Sequence, residues 1–237
     1  MENFLHKHIN KIFLLVIVLD CIMQYAELPY TVYTEPLIVP LLLVKLFISD
    51  DNIGQPVPKF IFYIGLFFSL FGDVLQLVVS NTLFFYSSLV AFTIMNLCYT
   101  IAIAGLYPAG IKNPLRLVLP FLLLGSAAWL FFHLLGTELG VFRMPLMVYV
   151  FSLVLVVLSA LNLLRSPDQK INALRFFIPA VSAEVIQNLV FALNLFENDA
   201  SARGFVPSYA LYALSQFLMV SGILHTYVQK QDTAIHS

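Results

Sequence analysis

Charge is scarce in this chain: Asp, Glu, Lys and Arg make up 11% of its 237 residues, against 60% hydrophobic ones. No soluble domain of this size carries so few charges, so a water-facing globular fold is excluded. The 12 Lys and Arg are offset by 13 Asp and Glu, giving a net charge of -1 and no basic surface for nucleic acid. Cysteine is almost lacking. Cys21 and Cys98 both fall within apolar runs, where small apolar packing is the expected role and no spacing suggests a disulfide or a metal. The histidines are N-terminal, C-terminal or isolated, and His133 is read as structural. There is no Gly-rich phosphate loop, no Ser/His/Asp set, no metal-ligand spacing, no long linker and no internal repeat, so no metal or other cofactor is expected.

What is present is a succession of apolar segments, each able to cross much of a hydrocarbon core about 30 Å thick at 1.5 Å per residue. Eight are expected, at approximately 11–28, 35–48, 58–79, 82–106, 114–136, 141–164, 173–196 and 206–229, the second being short for a full span. Their breaks are conventional: Pro36 and Pro58 near helix starts, the Asn52 to Pro58 turn, Pro108 to Pro114, and Ser166-Pro167-Asp168. The expected fold is therefore all-α, a single polytopic bundle of eight transmembrane helices with a polar intramembrane cavity. An even number of spans places both termini on one side. On that side fall Lys7, Lys11, Lys59, Lys112, Arg116, Arg165, Lys170, Arg175 and Lys230, with Lys45 able to snorkel there, whereas the other side has only Arg143 and Arg203. The positive-inside rule then predicts cytoplasmic termini, in a bacterial-type inner membrane with a eukaryotic endomembrane as the alternative. Asp20 before Cys21 is a poor lipoprotein cleavage context, so the first apolar segment is expected to be retained.

The informative residues are the polar ones at membrane depth. Asp73 lies inside the apolar run from Val57 to Val79, where an ionisable group costs several kcal/mol unless it faces protein or a water-filled cavity. Asp20, Gln24 and Glu27 follow an i, i+4, i+7 spacing on the first helix. Similar stripes occur at Asp73 and Gln76, at Asn96 and Tyr99, at Glu184 with Gln187 and Asn188, and at Tyr209, Tyr212 and Gln216. For the amides and hydroxyls, interhelical hydrogen bonding worth about 0.6–2 kcal/mol per contact is the plain explanation. The carboxylates Asp20, Asp73 and Glu184 have almost no Lys or Arg at matching depth, so they must be protonated or solvated by a cavity, which points to function.

Several short motifs, in order, resemble the YhhN-type lysoplasmalogenase family. They are Thr34-Glu35-Pro36-Leu37 opening the second helix, Ser69-Leu70-Phe71-Gly72-Asp73 on the third and the stretch from Phe92 to Tyr99 on the fourth. Ile186-Gln187-Asn188-Leu189-Val190 with Asn194 follows on the seventh, and Tyr212-Ala213-Leu214-Ser215-Gln216 on the last. The resemblance covers essentially the whole chain and agrees with the count of eight spans. It implies hydrolysis of the vinyl-ether bond of a lysoplasmalogen, a lysophospholipid substrate, to a fatty aldehyde and a glycerophospho-headgroup. That chemistry suits buried carboxyl groups, because the slow step is protonation of carbon to an oxocarbenium ion, followed by water addition and collapse of the hemiacetal.

The chain also departs from the family pattern. Glu35 stands where the family has Lys, Asn96 and Gln216 where it has His, and Asn188 where many members have a second Asp, while Asp73 is unchanged. Glu184 lies one turn before Asn188, about 6 Å along the axis, and its side chain reaches one methylene further. The resemblance thus implies Asp73, Glu184 and Glu35 as catalytic candidates, with acid and base roles unassigned. Asn96, Tyr99, Asn188, Gln216, Gln76, Tyr212 and Asp20 would orient substrate or water. Two other classes stay open: a lipid-binding or regulatory member that has lost the chemistry, and a small lipid or proton-coupled transporter, since intramembrane carboxylates also mark ion paths.

Overall fold

The structure, a computed structural model, describes residues 2–28, 34–49, 57–78, 81–106, 115–134, 139–196 and 202–235. Among the described residues there is no strand. The principal helices are α1 (Glu2–Tyr25), α2 (Ile38–Ile48, entered through a 3-10 turn at Glu35–Leu37), α3 (Val57–Gln76) and α4 (Thr82–Leu106). They continue with α5 (Leu115–Leu134), α6 (Arg143–Leu163), a composite α7 and α8 (Ala202–Ile235). The α7 helix joins a short turn, Lys170–Asn172, to a π turn, Ala173–Phe177, and a regular stretch, Ile178–Phe196. Pro179 accounts for that π turn. Its ring excludes the carbonyl four residues back and it brings no N–H, so the preceding turn widens instead of breaking.

Six stretches are long and apolar enough to cross a membrane: His8–Tyr25, Lys59–Gln76, Thr82–Leu106, Gly140–Leu163, Lys170–Leu195 and Gly204–Tyr227. The other two apolar helices are shorter, Ile38–Ile48 and Val118–Leu130. At 1.5 Å per residue α2 rises only about 16 Å, half a hydrocarbon core. Helix ends differ from the expected ones where polar residues continue a helix beyond its apolar part, as at the start of α1 and the end of α8.

The helices cluster into two compact units, Met1–Gln55 with Leu174–Ser237, and Pro56–Ala173. In the first unit α8 packs on α7, α1 and α2, and α1 also packs on α2. The α7–α8 pair is an antiparallel hairpin with a seam of small residues at heptad spacing on α8. Ser208 donates to the Gln187 carbonyl at 3.2 Å, and a Cβ on Gly222 would meet the Phe177 ring at 2.9 Å. Such small residues let two backbones approach closely where lipid offers no hydrophobic drive to associate.

In the second unit α3 packs on α4, α4 on α6, and α5 on α6. The buried face of α3 runs through Lys59, Phe62, Leu66, Ser69 and Asp73, a 3–4 residue repeat that keeps one side turned inward along the whole helix. Gly65 and Gly72 border this face. A Cβ on Gly65 would lie 2.7 Å from the Tyr99 ring, and one on Gly72 would lie 2.7 Å from the Phe92 ring.

The outward sides carry the apolar surface. On α1, Leu14, Leu15, Val18 and Ile22 are exposed while Asp20 and Gln24 are buried. A soluble monomer rarely shows such a patch, and here it is matched to lipid. The α1 helix ends in a Schellman turn, with Leu28 N–H on the Met23 carbonyl at 2.9 Å and Glu27 N–H on the Gln24 carbonyl at 3.0 Å. Glu27 sits there in the left-handed region, φ 55°, and is exposed. The expected three-residue stripe on α1 is corrected accordingly. Asp20 and Gln24 form it, and Glu27 lies beyond the helix because the Schellman turn reverses the chain before it.

Candidate functional site

In the first unit the polar groups gather along the α7–α8 seam. Glu184 is only 5% exposed, on a helix face that turns toward α8 because Ala180, Val181, Ala183 and Glu184 are all buried. Its carboxyl group is bonded by the side chains of Ser215 on α8 and of Asn188 one turn on, while its Oε2 has no hydrogen-bond partner among the described residues. The Asn188 amide also donates to the Glu184 carbonyl at 2.8 Å. Tyr212 and Gln216, both buried, flank Ser215 on α8. The Gln187 side-chain oxygen, also on α7, is buried without a partner among the described residues. A buried carboxyl oxygen with nothing to bond is costly, and such an atom is what a ligand or a transferred proton would meet.

Asp20 forms a separate cluster in the same unit. It is 2% exposed, and one carboxyl oxygen accepts from Gln24 Nε2 at 2.8 Å while the other accepts from the Thr34 hydroxyl. Both oxygens are thus engaged in tying the end of α1 to the turn that opens α2. The backbone of Glu35 belongs to that 3-10 turn, but its side chain lies outside the described residues.

In the second unit Asp73 lies on α3, 4% exposed, one residue after the glycine that admits the Phe92 ring. Gln76, half-buried, closes the same helix. On α4, Asn96 donates from its Nδ2 to Ser152 Oγ on α6 at 3.1 Å, leaving its Oδ1 buried without a partner among the described residues. Tyr99 stacks on Phe62 with ring centroids 4.8 Å apart.

Three further residues contribute to these faces. Ser215 stands in the motif on the last helix and Ser152 in none, and each matters through the neighbour it bonds, Glu184 and Asn96 respectively. Lys59, counted above among the positive residues on the side of the termini, is 1% exposed on the inward face of α3. The signal for it was available, because Lys59 is two heptads from Asp73 and so shares its face. At 1.5 Å per residue the two are about 21 Å apart along the axis, too far to pair.

An all-helical chain with apolar sides turned outward, long apolar spans and carboxyl groups buried along its inner faces is an integral membrane protein. Residues 30–223 match the family model of the YhhN family, and the chain belongs to that family. No curated protein and no solved structure matches it.

Proposed function

We propose that this protein is a membrane-embedded hydrolase of the vinyl-ether bond in lysoplasmalogens, releasing a fatty aldehyde and a glycerophospho-headgroup. The observation that carries the reading is Glu184, a buried carboxyl group on the α7–α8 seam with one oxygen unbonded and two neighbouring side chains to orient it. In the reaction a proton goes to the outer vinyl carbon, giving an oxocarbenium ion whose charge a nearby carboxylate stabilises. Water adds to the oxygen-bearing carbon and loses its proton to a base. The hemiacetal then breaks its bond to the glycerol oxygen, giving aldehyde and alcohol. Glu184 suits the acid or the base role, and Asp73, the carboxyl group that matches the family motif, is the other candidate to remove. Glu35 is a third.

A second reading has an observation of its own. Asn188 and Asn96 are neutral, and both already have bonds to neighbours, Asn188 with the Glu184 carbonyl and Asn96 with Ser152. Those commitments favour a member that holds a lipid without turning it over.

The experiment is aldehyde release from an ethanolamine lysoplasmalogen by the purified protein, with Asp73→Asn, Glu184→Gln and Glu35→Gln as variants. Loss of an acid–base group costs about 10²–10⁴ in rate, so Glu184→Gln is expected to fall by that range while remaining folded. Absence of release from a folded wild type that still binds the lipid establishes the second reading. The Lys and Arg distribution supports cytoplasmic termini, which protease access to an added C-terminal tag in sealed vesicles of known orientation tests.

A further inference from the structure

We propose that Lys45, with Ser221 and Phe217, forms a binding site for the phosphate group of a membrane phospholipid on the α1–α2–α8 side of the first unit. Lys45 is in the last turn of α2, a helix otherwise apolar from Ile38 to Ile48. Its neighbours Val44 and Phe47 are exposed, Phe47 at 63%, so the helix surface beside it faces lipid. A lysine that merely snorkels keeps its ammonium extended toward water. This one folds back onto α8. Its Nζ donates to Ser221 Oγ at 3.0 Å and lies 3.8 Å above the centre of the Phe217 ring. That ring is itself stacked on Phe13 of α1, centroids 5.2 Å apart, so three helices build the cradle.

The balance of charge in this cradle is incomplete. An ammonium has three N–H groups, and one is used on a neutral hydroxyl. Among the described residues no carboxylate bonds Lys45. Serine and an aromatic face stabilise a cation without neutralising it, and a full charge at the edge of the hydrocarbon is otherwise unfavourable. Lys45 is half-buried, so part of its side chain is open to the lipid side, and in the proposed site its two remaining N–H groups bond there. The anion present at such a surface is the phosphodiester of a phospholipid headgroup, and a charge-assisted bond from an ammonium to phosphate is among the stronger hydrogen bonds available. The acyl chains would lie along the exposed apolar residues of α1 and α2. This site is independent of the carboxyl groups and of whether the protein hydrolyses anything.

The test uses the full chain in dodecyl maltoside, which has no phosphate, and reads thermal stability as lipid is added. The probes are dioleoylphosphatidylglycerol, dioleoylglycerol as the phosphate-free lipid, and glycerophosphoglycerol as the chain-free headgroup. Wild type is expected to be stabilised by the phospholipid at a concentration at least tenfold lower than by either control, the scale of one charge-assisted hydrogen bond. Lys45→Met should abolish that preference, Ser221→Ala should reduce it, and Lys45→Arg should keep most of it. If Lys45→Met fails to fold, the Ser221→Ala and Lys45→Arg pair decides by the same readout. An unchanged preference in Lys45→Met, or in Ser221→Ala where that pair decides, overturns the proposal. So does equal stabilisation by the two lipids, and so does equal action of the chain-free headgroup, which would make the ligand a soluble phosphate ester.

Discussion

Replacing Gly65 by alanine should destabilise the protein, while the same change at Gly125 should stabilise it. In a helix interior alanine is favoured over glycine by about 1 kcal/mol when nothing opposes it. At Gly125 nothing lies within 4 Å of the added Cβ, so that gain stands. At Gly65 the new methyl would sit 2.7 and 2.8 Å from two Tyr99 ring carbons and 3.1 Å from the Cys98 Cβ. The Tyr99 ring has little freedom to yield, being buried and stacked on Phe62. Overpacking of this kind costs about 1–3 kcal/mol, so Gly65→Ala should lose a net ~1 kcal/mol and stand about 2 kcal/mol below Gly125→Ala. Unfolding by dodecyl sulfate titration in mixed micelles measures both variants against wild type. In a Tyr99→Leu background, which removes the far end of the ring, the Gly65→Ala penalty should shrink, giving a coupling energy in a double-mutant cycle. If Gly65→Ala proves as stable as Gly125→Ala, α3 and α4 are not held at the separation described, and the placement of Asp73 on that face fails with it.

Asp20→Asn and Asp20→Leu should part company in the same unfolding titration. The asparagine amide can donate to Gln24 Oε1, which has no partner among the described residues, so its cost should stay within about 1 kcal/mol; leucine strands both Gln24 and Thr34 and should cost about 2–4 kcal/mol. Asn194→Leu should lose about 1–2 kcal/mol, because the Asn194 amide donates at 3.0 Å to the Val190 carbonyl and at 2.5 Å to the Gly204 carbonyl, tying the end of α7 to the start of α8. Equal stability of Asn194→Leu and wild type would show that those bonds hold nothing together.

Most of the helical plan can be read from hydropathy alone, because each long apolar run must satisfy its backbone internally in lipid. Hydropathy reports where lipid lies, however, and not where a helix stops bonding. It therefore missed the first nine polar-rich residues of α1 and the end of α8, and it carried the α1 segment past the Schellman turn to include Glu27. The i, i+4 spacing of Asp20 and Gln24 and that of Glu184 and Asn188 correctly indicated shared faces. Their other partners come from different helices or across a turn, where spacing says nothing, so Thr34 and Ser215 stand in the quoted motifs without any sign that they bond Asp20 and Glu184.

The α7–α8 seam shows why a carboxyl group is found at position 184 when position 188 holds an amide. Moving a side chain one turn along α7 displaces it about 6 Å but leaves it facing the same neighbour, because successive turns repeat the face. The neighbour must then offer room and a hydrogen-bond donor at the new level. On α8 both come from one residue, since Ser215 is small enough to admit the longer glutamate and its hydroxyl bonds the carboxyl group. Position 188 is already engaged, its amide bonded to the Glu184 carbonyl and to the carboxyl group itself. Those two bonds are what would let Asn188 orient the glutamate. If that is its work, Asn188→Ala should impair every property that depends on Glu184, whereas Asn188→Asp, which sets a second carboxyl group against the first, should be worse than alanine. A gain of turnover in Asn188→Asp would instead mark position 188 as the seat of the chemistry and Glu184 as a bystander.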